Sequence, residues 1–434
     1  MDPLGAVFAV LTLIIFISSG VFGIDYMKGA KNRKSFGLFF VLSMLTEIAL
    51  CAASNLVTFY MCYELLTVLS MPLVIHERTK EAKMAALKYL FFSLFGAYGA
   101  LFGIYNLSRF ASTLNFVQGG SISAEVFAAD RGLLLAVAMA LIAGFGVKAG
   151  MWPMHAWLPT AHPIAPSPAS SALSACIVKA GVLGILRSIW YVYGADHLKG
   201  TWVQTVFIIL TLITVFMGSM LAFKEPVLKK RLAYSTVSQV SYILFGLAVS
   251  FGAVDPYAAG GVSAHVSDAM TGAVLHVLAH GFIKAALFLI AGAIIHHTGA
   301  TRVEDMRGIG LKMPVTMTCY TIVSLGLIGI PPTGGFVSKW YLATGAIATD
   351  IPVFMYLGPA VLLVSALLTA GYLLPLMITG FFPGAEYREK IKGQDIKCEP
   401  GPLMTIPIAT LTLLSLLIGL FPEPVIALIR MIFV

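Results

Sequence analysis

Apolar stretches of roughly 20 residues, each long enough to cross a bilayer, follow one another from residue 4 to residue 432. Broken at charges, glycines and prolines, they give about twelve crossings, near 4–24, 36–54, 56–75, 84–109, 131–160, 164–193, 202–222, 231–251, 270–297, 314–346, 353–382 and 403–432. None alternates polar and apolar residues as barrel strands do, so helices are the structure that satisfies the backbone in lipid. The expected fold is an all-α polytopic membrane protein. Composition agrees, with 59% hydrophobic and only 11% charged residues. A soluble domain carries about 25% charged residues, so nucleic-acid binding, soluble catalysis and secreted disulfide scaffolds are excluded. The five cysteines, Cys51, Cys62, Cys176, Cys319 and Cys398, form no C-x-x-C pair and read as small core residues. Asp2 and the lack of a basic n-region predict a retained first helix rather than a cleaved signal.

Lysines and arginines divide unevenly between alternate loops. Lys28 to Lys34, Arg78 to Lys83, Lys224 to Arg231, Arg302 to Lys312 and Arg388 to Lys397 hold eighteen; Arg109, Arg131, Lys199 and Arg430 make up the other set. One missed or invented helix would scramble that split, so it supports the count and places both termini outside a cell membrane.

Eight ionisable residues remain inside apolar runs: Glu47, Glu64, Lys88, Lys148, Lys179, Arg187, Lys284 and Lys339. Each costs about 2.5–3.5 kcal/mol near mid-bilayer on insertion scales. Lys88 and Arg187 lie near helix ends and are expected to snorkel. Crossings two and three form a hairpin turning at Ser54 and Asn55, which puts Glu47 and Glu64 at one depth, about 12–14 Å from the same face. Two such carboxylates share a proton or pair with a buried lysine.

Crossing five reads Gly144-Phe-Gly-Val-Lys148-Ala-Gly-Met-Trp-Pro153, and crossing ten reads Gly329-Ile-Pro331-Pro332-Thr-Gly334-Gly335-Phe-Val-Ser-Lys339. Both helices should break beside a lysine. The breaks are five crossings apart, an odd number, so units 36–193 and 202–382 are expected to be inverted repeats, flanked by an N-terminal segment 1–35 and a loop and last helix over 383–434. Crossing six contributes Lys179. On crossing nine, His276, His280 and Lys284 recur every four residues and line one face over about 12 Å, a stripe suited to relaying protons. His155 and His162 are seven residues apart near a membrane boundary, where a structural or gating role is as plausible as transport. His276 and His280 share a face and so do not present opposed haem ligands, and no zinc motif is present.

The motifs Tyr63-Glu64-Leu-Leu, Pro153-Met-His155-Ala-Trp-Leu-Pro159-Thr-Ala-His162, Ala165-Pro-Ser-Pro168, Val178-Lys179-Ala-Gly, Lys230-Arg231-Leu-Ala-Tyr234-Ser, His276-Val-Leu-Ala-His280-Gly-Phe-Ile-Lys284-Ala and Gly335-Phe-Val-Ser-Lys339 span residues 60–345. Together they resemble the antiporter-like proton-channel subunits of respiratory complex I, shared with membrane-bound hydrogenases and multisubunit sodium/proton antiporters. The resemblance implies proton-handling roles for Glu64, Lys148, Lys179, Lys284 and Lys339. That family usually has about fourteen helices, so two N-terminal helices are expected to be missing here. Glu47 lies outside the pattern, and its role rests on depth.

The expected function is proton translocation as a membrane subunit of a redox-driven, complex-I-related pump, hydrogenase-like or sulfur-reducing and ferredoxin-linked. The alternative is a subunit of a sodium/proton antiporter without a redox partner. Glu64 and Lys148 are expected to act as a switchable ion pair; a carboxylate about 7 Å from a lysine stabilises its charge by roughly 2.4 kcal/mol at an effective dielectric of 20. No cofactor is expected in the chain itself, and iron–sulfur clusters are expected in partner subunits, alongside further antiporter-like or hydrogenase-type membrane subunits and the lipid bilayer. No enzymatic centre of its own is assigned.

Overall fold

A computed structural model describes residues 1–251, 267–349, 351–390 and 397–433. Lys392, counted above among the cations, lies outside them. The first crossings are α1 (Pro3–Tyr26), α2 (Arg33–Ala52), α3 (Leu56–Val74) and α4 (Lys80–Phe110). Side-chain oxygens begin several of these helices: Asp2 accepts from the Gly5 N–H, Asn55 from Thr58 and Thr79 from Ala82. The α2–α3 turn falls at Ala53–Asn55, as the hairpin reading required.

Crossing five is shorter than its hydropathy implied. Helix α5 (Arg131–Lys148) stops at the lysine because Gly150 turns the chain at φ +78 and Pro153 follows; a 3-10 turn at Met154–Trp157 then leads into the short α6 (Leu158–Ile164). Crossing six, α7 (Ser167–Tyr193), contains π-helical turns at Leu173–Ile177 and Ile189–Tyr193. Next come α8 (Trp202–Lys224), α9 (Leu228–Val249) and α10 (Asp268–Thr298). Crossing ten is divided into α11 (Pro314–Ile328) and α12 (Gly334–Ile347), separated by Gly329 at φ +94 and the two prolines. After α13 (Phe354–Phe381) and α14 (Pro402–Leu420), the expected last crossing is cut at Pro422, and α15 (Glu423–Ile432) is a separate short helix burying Ile426, Ile429 and Ile432 on one face. Among the described residues eleven helices are long and apolar enough to span a membrane, and α11 is a shorter apolar helix at the place of the expected tenth crossing.

Helices α7, α9 and α10 are buried along almost their whole length and form the centre, while α2, α3 and α13 present much of their surface outward. Successive helices pack in series from α2 to α5 and again from α8 to α12.

Arg187 does not snorkel. It is 1% exposed, donates from both terminal nitrogens to the Asp2 carboxylate, and lies 4.7 and 4.9 Å from the ring centres of Phe116 and Tyr191. Burial works against the Asp2 carboxylate, yet the Arg187 hydrogen bonds, the Gly5 N–H and the guanidinium charge together hold its pKa below the ordinary carboxylate value. The contact therefore stabilises the fold above about pH 3.9 and is lost as pH falls through the lowered value. Asp2→Ala leaves a buried guanidinium unpaired and should cost about 3 kcal/mol, the low end for a broken buried pair because Asp2 is partly exposed. A thermal unfolding midpoint in detergent equal to wild type would refute this.

Candidate functional site

Lys148 is the last residue of α5, where the helix dipole favours a cation. It is fully buried against α3: Nζ donates to the Tyr63 carbonyl at 3.0 Å and the Thr67 hydroxyl at 2.7 Å, and lies 3.8 Å from the centre of the Tyr63 ring. Glu64 is the next residue along α3, half-buried, with Oε1 unpartnered. It lies within the field of Lys148, but the two form no direct ion pair among the described residues. Glu47 on α2 is 3% exposed with Oε2 unpartnered, and it lies within the fields of both Lys148 and Lys179.

Lys179 follows the first π-helical turn of α7. Such a turn displaces carbonyls from the regular ladder, and Lys179 Nζ donates to one of them, Ser174 O, at 2.8 Å. The Ser174 hydroxyl is 2.7 Å from the Thr236 hydroxyl on α9; Thr236 donates to the Leu232 carbonyl at 3.0 Å, which also accepts from Lys284 Nζ at 2.9 Å. Lys284 donates in addition to the Ser235 hydroxyl. Ser174 thus links the two lysines across the centre of the molecule, its carbonyl holding Lys179 and its hydroxyl beginning the hydrogen bonds that lead through Thr236 and the Leu232 carbonyl to Lys284.

The expected stripe on α10 is present. His276 and His280 stack with ring centres 5.8 Å apart, and both are buried. His276 Nδ1 is 2.8 Å from the Ser338 hydroxyl, whereas His276 Nε2, both nitrogens of His280 and the whole amide of Gln239 on α9 have no protein partner. Buried polar atoms of this kind are ordinarily met by internal water. Beyond Ser338, Lys339 on α12 reaches back to the Leu327 and Ile328 carbonyls at 2.6 and 3.1 Å. Those are the open C-terminal carbonyls of α11, so the broken helix supplies the acceptors for its lysine. Tyr242 stands between them, its ring 5.7 Å from His276 and 4.9 Å from Lys339 Nζ.

All four lysines thus rest on carbonyls or hydroxyls. An ammonium has three donors and none here has three acceptors among the described residues, leaving each with capacity to exchange hydrogen bonds with a neighbour. His162 on α6 is fully buried with both nitrogens unpartnered, and His155 is half-buried beside the break. Lys88 donates to the Thr160 hydroxyl at 3.1 Å. Among the described residues no three His, Cys, Asp or Glu side chains gather as metal ligands. Sequence reasoning missed Lys229, which it counted as a loop cation; the residue is 6% exposed and donates to the Ala165 carbonyl. It also missed Thr236, Gln239 and Ser338, whose significance comes only from packing.

Residues 53–369 match the family described as NADH:quinone oxidoreductase/Mrp antiporter, transmembrane. NADH-quinone oxidoreductase subunit N of Desulforudis audaxviator is 31% identical over 98% of this chain and 82% of its own. Hydrogenase-4 component B of Escherichia coli is 31% identical over 79% of this chain, which spans only 50% of that longer relative. Among solved structures, the Mrp complex from Dietzia sp. DQ12-45-1b superposes with a TM-score of 0.83 at 21% identity, covering 100% of this chain and 83% of its counterpart. The match over most of the chain, with 82% of subunit N covered, makes this protein a member of the NADH:quinone oxidoreductase/Mrp antiporter transmembrane family.

Proposed function

We propose that the chain translocates protons as an antiporter-like subunit of a complex-I-related, redox-driven membrane pump. The row from Glu64 and Lys148 through Lys179 and the Ser174–Thr236 bridge to Lys284, His280, His276 and Lys339 carries this reading. It supplies titratable groups and polar atoms across an otherwise apolar interior. Glu47 serves the same row from the α2 side. Residues 36–193 and 202–382 act as inverted repeats, each contributing one broken helix. The basic loops face the cytoplasm, and both termini lie outside the cell membrane.

Similarity to subunit N and to a hydrogenase component supports redox drive. In that case partner subunits hold the iron–sulfur clusters, and neighbouring antiporter-like or hydrogenase-type subunits complete the complex. The likeness to the Mrp complex over the whole chain favours a second reading, a sodium/proton antiporter driven by an ion gradient alone.

The chain should be tagged in its native membrane, purified in mild detergent, and its co-purifying subunits examined by metal analysis and electron paramagnetic resonance. Iron–sulfur signals are the expected result. An intact multisubunit assembly without iron would replace redox drive by the antiporter reading.

A further inference from the structure

We propose that Lys229 is a proton-carrying residue, the inlet that passes protons from the lysine-rich face through His162 to Lys284. The inference rests on the translocation reading above and extends it to a residue outside the central row.

Lys229 stands in a basic cluster whose other lysines, Lys224 and Lys230, face outward, while Arg231 donates to the Glu225 and Tyr372 carbonyls. Lys224 is exposed and Lys230, 41% exposed, pairs with Glu225 at 2.8 Å. Lys229 instead turns inward from the first turn of α9 to the carbonyl of Ala165, in the break between α6 and α7. The Ser170 hydroxyl binds that carbonyl at 3.1 Å and the His162 carbonyl at 2.8 Å, so one knot of backbone holds Lys229 and His162 together.

A buried lysine kept only for structure is expected to hold a carboxylate. Lys229 has no ion-pair partner among the described residues; the carboxylate acting on it is that of Glu77, an exposed residue of the α3–α4 loop. On its inner side, His162 stacks on Phe288 with ring centres 4.9 Å apart, and Phe288 is one turn from Lys284 on α10. Lys284 is bound to the Leu232 carbonyl, three residues along α9 from Lys229, a rise of about 4.5 Å. Three titratable groups therefore surround a single turn of α9. The two unpartnered nitrogens of His162, within the fields of both lysines, are suited to bridging them through water.

The test uses the intact complex purified from native membranes and sealed in proteoliposomes, with the initial rate of proton translocation read by dye quenching. Lys229→Arg keeps a cation and its hydrogen bond but does not release a proton near neutral pH. It should assemble at wild-type size and slow translocation by about tenfold or more, as should Lys229→Gln. Glu77→Gln, at the surface, should slow it by roughly twofold, with imidazole added on that side restoring the rate. A wild-type rate in K229R would make the residue a structural cation and overturn the inlet. If K229R fails to assemble, a wild-type rate in K229Q overturns it equally. Transport that survives Lys148→Ala removes the translocation reading itself; transport lost in K148A but intact in K229R removes only the inlet.

Discussion

Replacing Lys148 by alanine is expected to slow proton translocation by about a hundredfold or more while leaving the protein folded. The two halves of that expectation have separate causes. Tyr63 O and the Thr67 hydroxyl, which accept from Lys148, are also 3.3 Å from one another in a bond that Thr67 donates, so neither is orphaned when the ammonium goes. The methylenes removed leave a cavity at the end of α5, a stability loss that size-exclusion profiles and melting in detergent would report. Transport fails because, among the described residues, no other amino group hydrogen-bonds to the α3 side of the row. Lys148→Arg sharpens the test: it preserves charge, but a guanidinium stays protonated near neutral pH, so it should be inactive as well. Glu64→Gln should also be defective, since the carboxylate biases the lysine through space: at about 7 Å the interaction is roughly 2.4 kcal/mol, and doubling the distance halves it. The measurement is acridine-dye quenching in sealed inside-out vesicles. Wild-type quenching in K148R would mean that a fixed charge suffices and that Lys148 carries no proton.

Most of the architecture was legible because lipid is a severe solvent. A charge inside an apolar run is expensive enough that Lys148, Lys179, Lys284 and Lys339 declare themselves, and apolar run length locates the membrane-spanning helices. Side-chain direction was not legible. Lys229 neighbours Lys224, Lys230 and Arg231, and its sequence context is that of a surface loop; only its turn under Ala165 buries it. Arg187 lies near a helix end, where snorkelling is the usual solution, but its partner Asp2 is 185 residues away. Depth along a helix gave Glu47 and Glu64 the same level but said nothing of azimuth, and the structure buries the first while half-exposing the second. Hydropathy ran crossing five on to residue 160 because Met151 to Leu158 are largely apolar, yet the backbone leaves the helix at Gly150. The Ser174–Thr236 bridge had no local signal at all: two common hydroxyls, 62 residues apart, gain meaning only because α7 packs on α9.

These differences explain how the row is built. Each central lysine is held by a local departure from regular helix or by a small hydroxyl: Lys179 by a π-helical turn, Lys339 by the end of α11, Lys148 by Thr67, Lys284 by Ser235. Neutral acceptors orient an ammonium without fixing its charge as a contacting carboxylate would, which suits a group that must gain and lose a proton.

Gly335→Ala should be as damaging as the lysine substitutions, but through the fold. A Cβ at this position would lie 1.9 Å from the carbonyl oxygen of Gly326. Ordinary contact begins at 3.4 Å, so α11 and α12 must separate by about 1.5 Å, and the obstructing atom is backbone that has no rotamer to yield. Overpacking of this kind costs about 3 kcal/mol or more when neither side can relax. The strain falls between two glycines that set the approach of the broken helix to itself, and it displaces the Leu327 and Ile328 carbonyls from Lys339. The expected outcome is a marked fall in assembled complex together with lost translocation, read by blue-native electrophoresis and by the dye assay. Gly37→Ala is the matched control. Its Cβ on α2 meets nothing within 4 Å, and alanine in a helix is favoured over glycine by about 1 kcal/mol, so that variant should assemble as well as wild type or better. Equal assembly and transport in G335A and G37A would show that α11 and α12 part without cost, and that the close approach at the break does not hold Lys339 in its place.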